Sequence, residues 1–125
     1  MKMVKIYTVQ IAVAHRMSIT KDLRYLDTTV KSGDKTFAPT WEMVMGHKKG
    51  EISDEQYTRE YYTMMRGSYR RNLPRWDEVL SMDEVILACY CRADEFCHRY
   101  LLAEMLVRCG GKFEGEIQNL DDLAG

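Results

Sequence analysis

Between Cys89 and Arg99 the chain places three of its four cysteines, one of its three histidines and two arginines within a single short stretch. These side chains can supply nucleophiles, proton-transfer groups, metal ligands and anion clamps. The surrounding residues 85–111 read VILACYCRADEFCHRYLLAEMLVRCGG: an apolar run, a polar cysteine-rich loop, then a long amphipathic segment ending in paired glycines. Residues 85–91 are apolar on both faces, the pattern of a central parallel strand. Asp94 is a good N-cap for a helix over 95–108, with Leu101, Leu102, Met105 and Leu106 facing a sheet and Gly110-Gly111 marking the end. Cys97, His98 and Arg99 then fall in the first helical turns, just beyond a strand's carboxyl end, where open α/β sheets bind ligands and a helix dipole attracts anions.

A thiol so placed is expected to have a lowered pKa. The candidate catalytic residues are therefore Cys91 and Cys97 as thiols, with His98 and an acid, Glu95 or Glu104, in proton transfer. Arg92 and Arg99 are candidate bidentate clamps for an anionic group. A second set of candidate ligand residues lies earlier in the chain. Arg59, Tyr62, Arg66 and Tyr69 recur at helical spacing, alternating guanidinium with phenol, and Trp41 adds an aromatic platform. The same stripe also suits a solvated face with arginine stems lying over rings.

The elements that must position these residues follow from periodicity. Residues 4–13 are rich in Val, Ile, Tyr and Thr and predict a first buried strand. Ser18 and Thr20 are N-cap types, and Leu23, Leu26 and Val30 predict a short amphipathic helix ending near Gly33. Thr40 caps one or two helical turns ending at Gly46, and residues 47–50, HKKG, read as a solvated basic loop in which His47 needs no function. Ser53 and Gln56 form a capping box opening a helix over about 54–71, with Tyr57, Tyr61, Met64 and Ser68 on its core side. Asn72 and Pro74 start a short helix burying Trp76, Val79 and Leu80. Residues 112–117 alternate as a half-exposed strand, completing a βαβ unit.

Composition bounds the rest. The 125 residues carry a net charge of −1 and are 46% hydrophobic and 30% charged, which excludes the bulk electrostatic footprint of a strongly basic nucleic-acid binder. The expected architecture is one small α/β domain over 1–125, three-layered, with a mainly parallel sheet and flanking helices. No stretch approaches a membrane span and no signal peptide is recognisable, so a cytoplasmic protein without membrane partners is expected. In a reducing compartment the cysteines read as thiols, ligands or core. A metal site from Cys89, Cys91, Cys97 and His98 has adequate chemistry. It lacks a second knuckle pair, and adjacent Cys97 and His98 would diverge on a helix, so no metal ligand and no cofactor is assigned.

A strand carrying a cysteine, an acidic loop, then Phe96-Cys97-His98-Arg99 and Leu101-Leu102-Ala103-Glu104 resembles the domain of unknown function 488 family of bacteria and phages. Phe37-Ala38-Pro39-Thr40-Trp41 and the run from Tyr62 to Arg66 are similar to its shorter, phage-type members. The resemblance implies a small α/β fold with a polar pocket suggestive of catalysis, and no established reaction.

Together these features lead to the expectation of an enzyme or binding protein for a nucleotide, nucleoside or nucleic-acid base. Phosphate would lie on the Cys97-His98-Arg99 helix start and the base on Tyr or Trp rings; hydrolysis or transfer would be its reaction class. Two alternatives stand beside it. One is rhodanese-like sulfur transfer at Cys91 or Cys97, suggested by a strand ending Tyr90-Cys91-Arg92 before a helix that bears Arg99. The other is a non-catalytic phage module that binds or sequesters a partner, and self-association through the Met- and Tyr-rich helix is open in either case.

Overall fold

The computed structural model describes residues 3–123. In chain order it contains β1 (Lys5–Gln10), α1 (Ile11–Met17), β2 (Tyr25–Asp27), α2 (Trp41–Lys48), α3 (Asp54–Arg71), α4 (Leu73–Leu80), β3 (Glu84–Cys89), α5 (His98–Arg108), β4 (Lys112–Ile117) and a 3₁₀ turn (Leu120–Leu123). The strands form one sheet in the order β2-β3-β1-β4, with every pairing parallel. Parallel strands need helical crossovers, which cover both faces and explain why β1 and β3 are apolar on both sides.

The result is a three-layer α/β fold. On one face Val4, Ile6, Leu26, Val85 and Leu87 pack beneath Phe37 of the turn before α2 and beneath α2 to α5 through Met43, Tyr61, Met65, Trp76 and Leu102. On the other, Tyr7, Val9, Ile86, Ala88 and Ile117 pack against Ile11 and Ala14 of α1. Each such aliphatic side chain, fully buried, contributes about 1.5–3 kcal/mol, so two filled faces supply the main favourable term. Helix α3 begins at the Ser53 cap, whose side chain accepts from the Gln56 N–H at 3.1 Å. It buries Tyr57, Tyr61, Met65 and Ser68, with Met65 rather than Met64 on the innermost line.

Four boundaries differ from expectation. The first strand stops at Gln10, and α1 starts at the next residue. No helix spans 18–33: Ser18 is left-handed at φ 59°, Leu23 is 97% exposed, and Tyr25-Leu26-Asp27 instead form an edge strand paired with Ile86-Leu87-Ala88. Short polar side chains there satisfy neighbouring backbone groups and so compete with a helix. Asp22 accepts from Arg24, and Asp27 accepts from the Thr29 N–H and hydroxyl. Finally, α5 starts at His98 rather than beyond Asp94, with Cys97 as its N-cap in extended conformation, φ −154° and ψ 146°. Helix α2 also runs through His47 to Lys48, so His47 is helical rather than in a loop.

Candidate functional site

The sheet topology opens a crevice at the carboxyl ends of β2 and β3. Chain leaving β3 at Cys89 turns through residues 90–96 before α5, and chain leaving β2 at Asp27 turns through residues 28–36. Between these turns and α2 lies a cleft of about 670 Å³, measured out to its mouth. Its walls are Trp41, Val44, His47, Tyr57, Tyr90 and Phe96, and Lys31 and Lys48 also line it. Cys89, Cys91, Cys97 and His98 line it from the β3 side, and Thr29 and Val30 from the β2 side.

The aromatic wall is packed. The His47 ring lies 5.4 Å from Tyr57 and 5.0 Å from Phe96, and Tyr57 meets Phe96 edge-on at 5.4 Å. His47 Nε2 is 2.5 Å from Asp54 Oδ1 at the start of α3. Burial pushes the Tyr57 phenol well above its usual range, so this ring is a neutral platform.

The three sulfurs of Cys89, Cys91 and Cys97 lie within 4.8 Å of one another, with the thiols unbridged. Their protons are shared unequally. Hydrogen bonds from Cys89 and then Cys97 hold the Cys91 thiol well below the ordinary thiol range. Cys89 is pushed up to about 11 by its hydrogen bond to Cys91, and Cys97 is raised by its bonds to Cys89 and Cys91. Of the three, Cys91, the half-buried member, is thus the thiol most readily deprotonated.

His98 is buried behind the sulfurs, and burial lowers its imidazole to about 4. Its Nε2 is 2.9 Å from the Thr28 carbonyl and 3.0 Å from the Thr28 hydroxyl, while that hydroxyl donates to the Ala88 carbonyl at 2.9 Å. Both Thr28 oxygens are therefore acceptors toward the ring, which fixes the proton on Nε2. Nδ1 keeps its lone pair, 3.7 Å from Cys89 Sγ and 3.9 Å from Cys97 Sγ.

Of the residues singled out in the sequence, Cys91, Cys97, His98 and Trp41 come together in this cleft. Arg92 and Glu95 lie on the turn beside it and pair with each other at 3.0 Å. Arg99 lies behind the cleft with a fully buried side chain. It donates to both carboxylate oxygens of Glu116 at 3.2 and 2.9 Å, to the Cys91 carbonyl at 2.9 Å and to the Tyr100 hydroxyl at 3.0 Å. Burial is the largest influence and opposes the Arg99 charge, but the Glu116 hydrogen bonds together with the neighbouring Cys97, Glu116 and Tyr100 outweigh it, and its pKa is raised. The remaining candidates are elsewhere. The Tyr62 hydroxyl donates to Glu104 at 2.8 Å along the α3–α5 seam, Arg66 is exposed, and Tyr69 packs edge-on against Trp76.

Thr28, His47, Tyr57 and Phe96 were not singled out as site residues from the sequence. Tyr57 was read as a core-facing residue of its helix, Phe96 appeared only within the family-like Phe96-Cys97-His98-Arg99 motif, and Thr28 sat in a segment read as helix. For His47, the capping box six residues on was the available clue, since it brings Asp54 to the start of α3.

Among comparisons with known proteins, no curated protein and no solved structure matches the chain. A family model described as the active DUF488-N3 subclade, N3a, matches residues 5–110, spanning β1 through α5 and including every residue of the cleft. The chain therefore belongs to the DUF488 family.

Proposed function

We propose that the cleft takes a nucleotide or nucleoside, its base against Trp41, Tyr57 and Phe96 and its phosphate toward Lys31 and Lys48. The observation that carries this reading is the combination of packed aromatic rings with two lysines at the carboxyl ends of parallel strands. Flat heterocycles gain about 1–3 kcal/mol per base from such stacking, and ligands of open parallel sheets bind at this edge. The matched subclade is described as active, which supports turnover in addition to binding. Of the two imidazoles lining the cleft, His98 is tied to Thr28, whereas His47, oriented by Asp54, is the one able to pass a proton to a bound ligand. Hydrolysis or transfer at the glycosidic or phosphoester bond is the reaction class that needs such a group.

Trp41 is 52% exposed whereas Trp76 is fully buried, so quenching of tryptophan fluorescence reports the cleft. Titration with nucleosides, nucleotides and short oligonucleotides should give saturable quenching that is lost in Trp41→Leu. Lys48→Ala should weaken nucleotides more than nucleosides. Absence of quenching and of any thermal shift across the whole panel would sink the proposal.

A further inference from the structure

The cysteine cluster has a geometry that the nucleotide reading does not require. Three thiols from three local contexts converge: Cys89 ends β3, Cys91 lies in the turn, and Cys97 caps α5. An apolar core position would not need three sulfurs within 4.8 Å of one another. A disulfide would use two of them and leave the third unpaired. A neutral imidazole stands beside them with its unprotonated nitrogen turned to two of the sulfurs.

We infer that Cys89, Cys91, Cys97 and His98 Nδ1 form a tetrahedral site for a soft divalent ion of the zinc class. Zinc bonds of about 2.3 Å to sulfur and 2.0–2.1 Å to nitrogen set ligand separations of roughly 3.6–3.8 Å. The observed Nδ1 distances to the Cys89 and Cys97 sulfurs, 3.7 and 3.9 Å, already match, the three sulfurs need close on one another by no more than about 1 Å, and Cys91, on the turn, is the ligand that must move toward the ring. The second shell is also in place: a metal-bound histidine donates its other N–H to a carbonyl or carboxylate, as His98 Nε2 does to Thr28. Adjacent Cys97 and His98 would diverge within a helix. Here Cys97 is extended and only His98 is helical, so both reach the same corner.

Access is provided by the cleft, which Cys91 lines from a half-buried position. Binding converts the sulfurs to thiolates and releases their remaining protons to solvent, while the imidazole contributes a lone pair and loses none. With four protein ligands the coordination is closed, so the ion's role is to tie the turn over residues 90–96 to β3 and α5.

The test is metal analysis and cobalt titration of the full chain, with thiols kept reduced by a phosphine. One zinc ion per chain is expected, and cobalt should give thiolate-to-metal charge-transfer bands with intense visible bands of tetrahedral geometry. Cys89→Ser and Cys91→Ser should abolish both, while Cys109→Ser, which alters the exposed cysteine at the far end of α5, should retain them. In ¹⁵N spectra the His98 Nδ1 resonance should move on zinc addition. Fully reduced wild-type protein that gives no cobalt bands and holds far less than one ion per chain overturns the site, as does retention of the bands in Cys91→Ser. An unmoved Nδ1 resonance removes His98 from the ligand set. None of these readouts involves a nucleotide, so the outcome is separate from that of the cleft reading.

Discussion

The two turns that frame the cleft leave neighbouring parallel strands at the same edge of the sheet, yet they are held in opposite ways. The turn after β2 is held largely by its own residues. Asp27 accepts from the Thr29 N–H at 2.9 Å, from the Thr29 hydroxyl at 2.7 Å and from the Ser32 hydroxyl at 2.6 Å, and the Asp27 carbonyl accepts from the Asp34 N–H at 2.8 Å. Gly33 closes it so tightly that a Cβ there would stand 2.4 Å from the Thr29 nitrogen. The turn after β3 is held mainly from α5. Arg99 donates to the Cys91 carbonyl and the Tyr100 hydroxyl to the Ala93 carbonyl, and Arg99 is itself fixed by Glu116 on β4. One wall of the cleft is thus encoded mainly by its own residues, with Arg75 on Asp34 and Ser68 on the Thr36 carbonyl securing its far end. The other, beyond its Arg92–Glu95 pair, depends on contacts made by the last helix and strand.

This difference predicts where each wall fails. Arg99→Met should have the largest effect, because it leaves the Glu116 carboxylate, with only 13% of its side chain exposed, without its cation and the Cys91 carbonyl without its donor. Breaking a buried pair in this way costs about 3–5 kcal/mol, read as a lower denaturation midpoint, and pairing it with Glu116→Gln should recover part of the loss. If Arg99→Met proved as stable as wild type, the claim that α5 holds the second turn would fail.

Asp27→Ala comes next, at about 1–3 kcal/mol for the three donors it strands. Its signature is local: hydrogen-exchange protection should fall over residues 28–36 and persist over 90–97. Arg99→Met should show the reverse pattern. Equal loss over both turns in either variant would mean that they form one cooperative unit.

The same contrast explains what could be read from the chain. Helix α3 was legible because its start depends on Ser53 and Gln56 and its inner face on Tyr57 and Tyr61, all within a few turns. The central parallel strand was legible because burial on both faces leaves an uninterrupted apolar run, although it was read over 85–91 and ends at Cys89, leaving Cys91 in the turn. Asp94 looked like a helix cap on local grounds, yet Arg99 and Tyr100 bind loop carbonyls at Cys91 and Ala93, and the helix starts four residues after Asp94. Three-residue β2 is specified by its partner Ile86-Leu87-Ala88, about sixty residues away, and no periodicity could reveal it. The cysteines were conspicuous by type. Their convergence, and the aromatic wall from α2 and α3 opposite them, required the fold.

Two buried threonines sharpen the contrast at smaller scale. Thr28 uses its hydroxyl to donate to Ala88 and to accept from His98, whereas the Thr8 hydroxyl in β1 is buried with no partner. Thr28→Val should destabilise by about 1 kcal/mol, since it removes the hydroxyl's bonds to the Ala88 carbonyl and the His98 ring, while the Thr28 backbone carbonyl and N–H still serve both groups. Thr8→Val replaces an unsatisfied hydroxyl with a methyl of similar size, and should raise stability by up to about 1 kcal/mol. Urea denaturation of both variants reads the opposite signs, and destabilisation by Thr8→Val would show that its hydroxyl is satisfied in solution.

The smallest effect belongs to the amino end of the strands, where β2 is attached by charge rather than by a turn. Arg24 pairs with Asp22 and Glu84, both at 2.8 Å, joining the segment before β2 to β3. Hydrogen bonds from Arg24 lower the Asp22 carboxyl from 3.8 to about 2. A carboxyl with a depressed folded-state pKa favours folding fully above its unfolded value. That contribution should therefore be present above pH 3.8 and fade as the pH falls toward 2. Arg24 and Asp22 are about a third and a quarter exposed, so solvent screening keeps the contribution below about 1 kcal/mol. Comparing wild type with Asp22→Asn across this range isolates it: the variant's deficit should be constant near neutrality and shrink toward pH 2. A deficit unchanged at pH 2 would assign the effect to lost hydrogen-bond geometry rather than to the charge on Asp22.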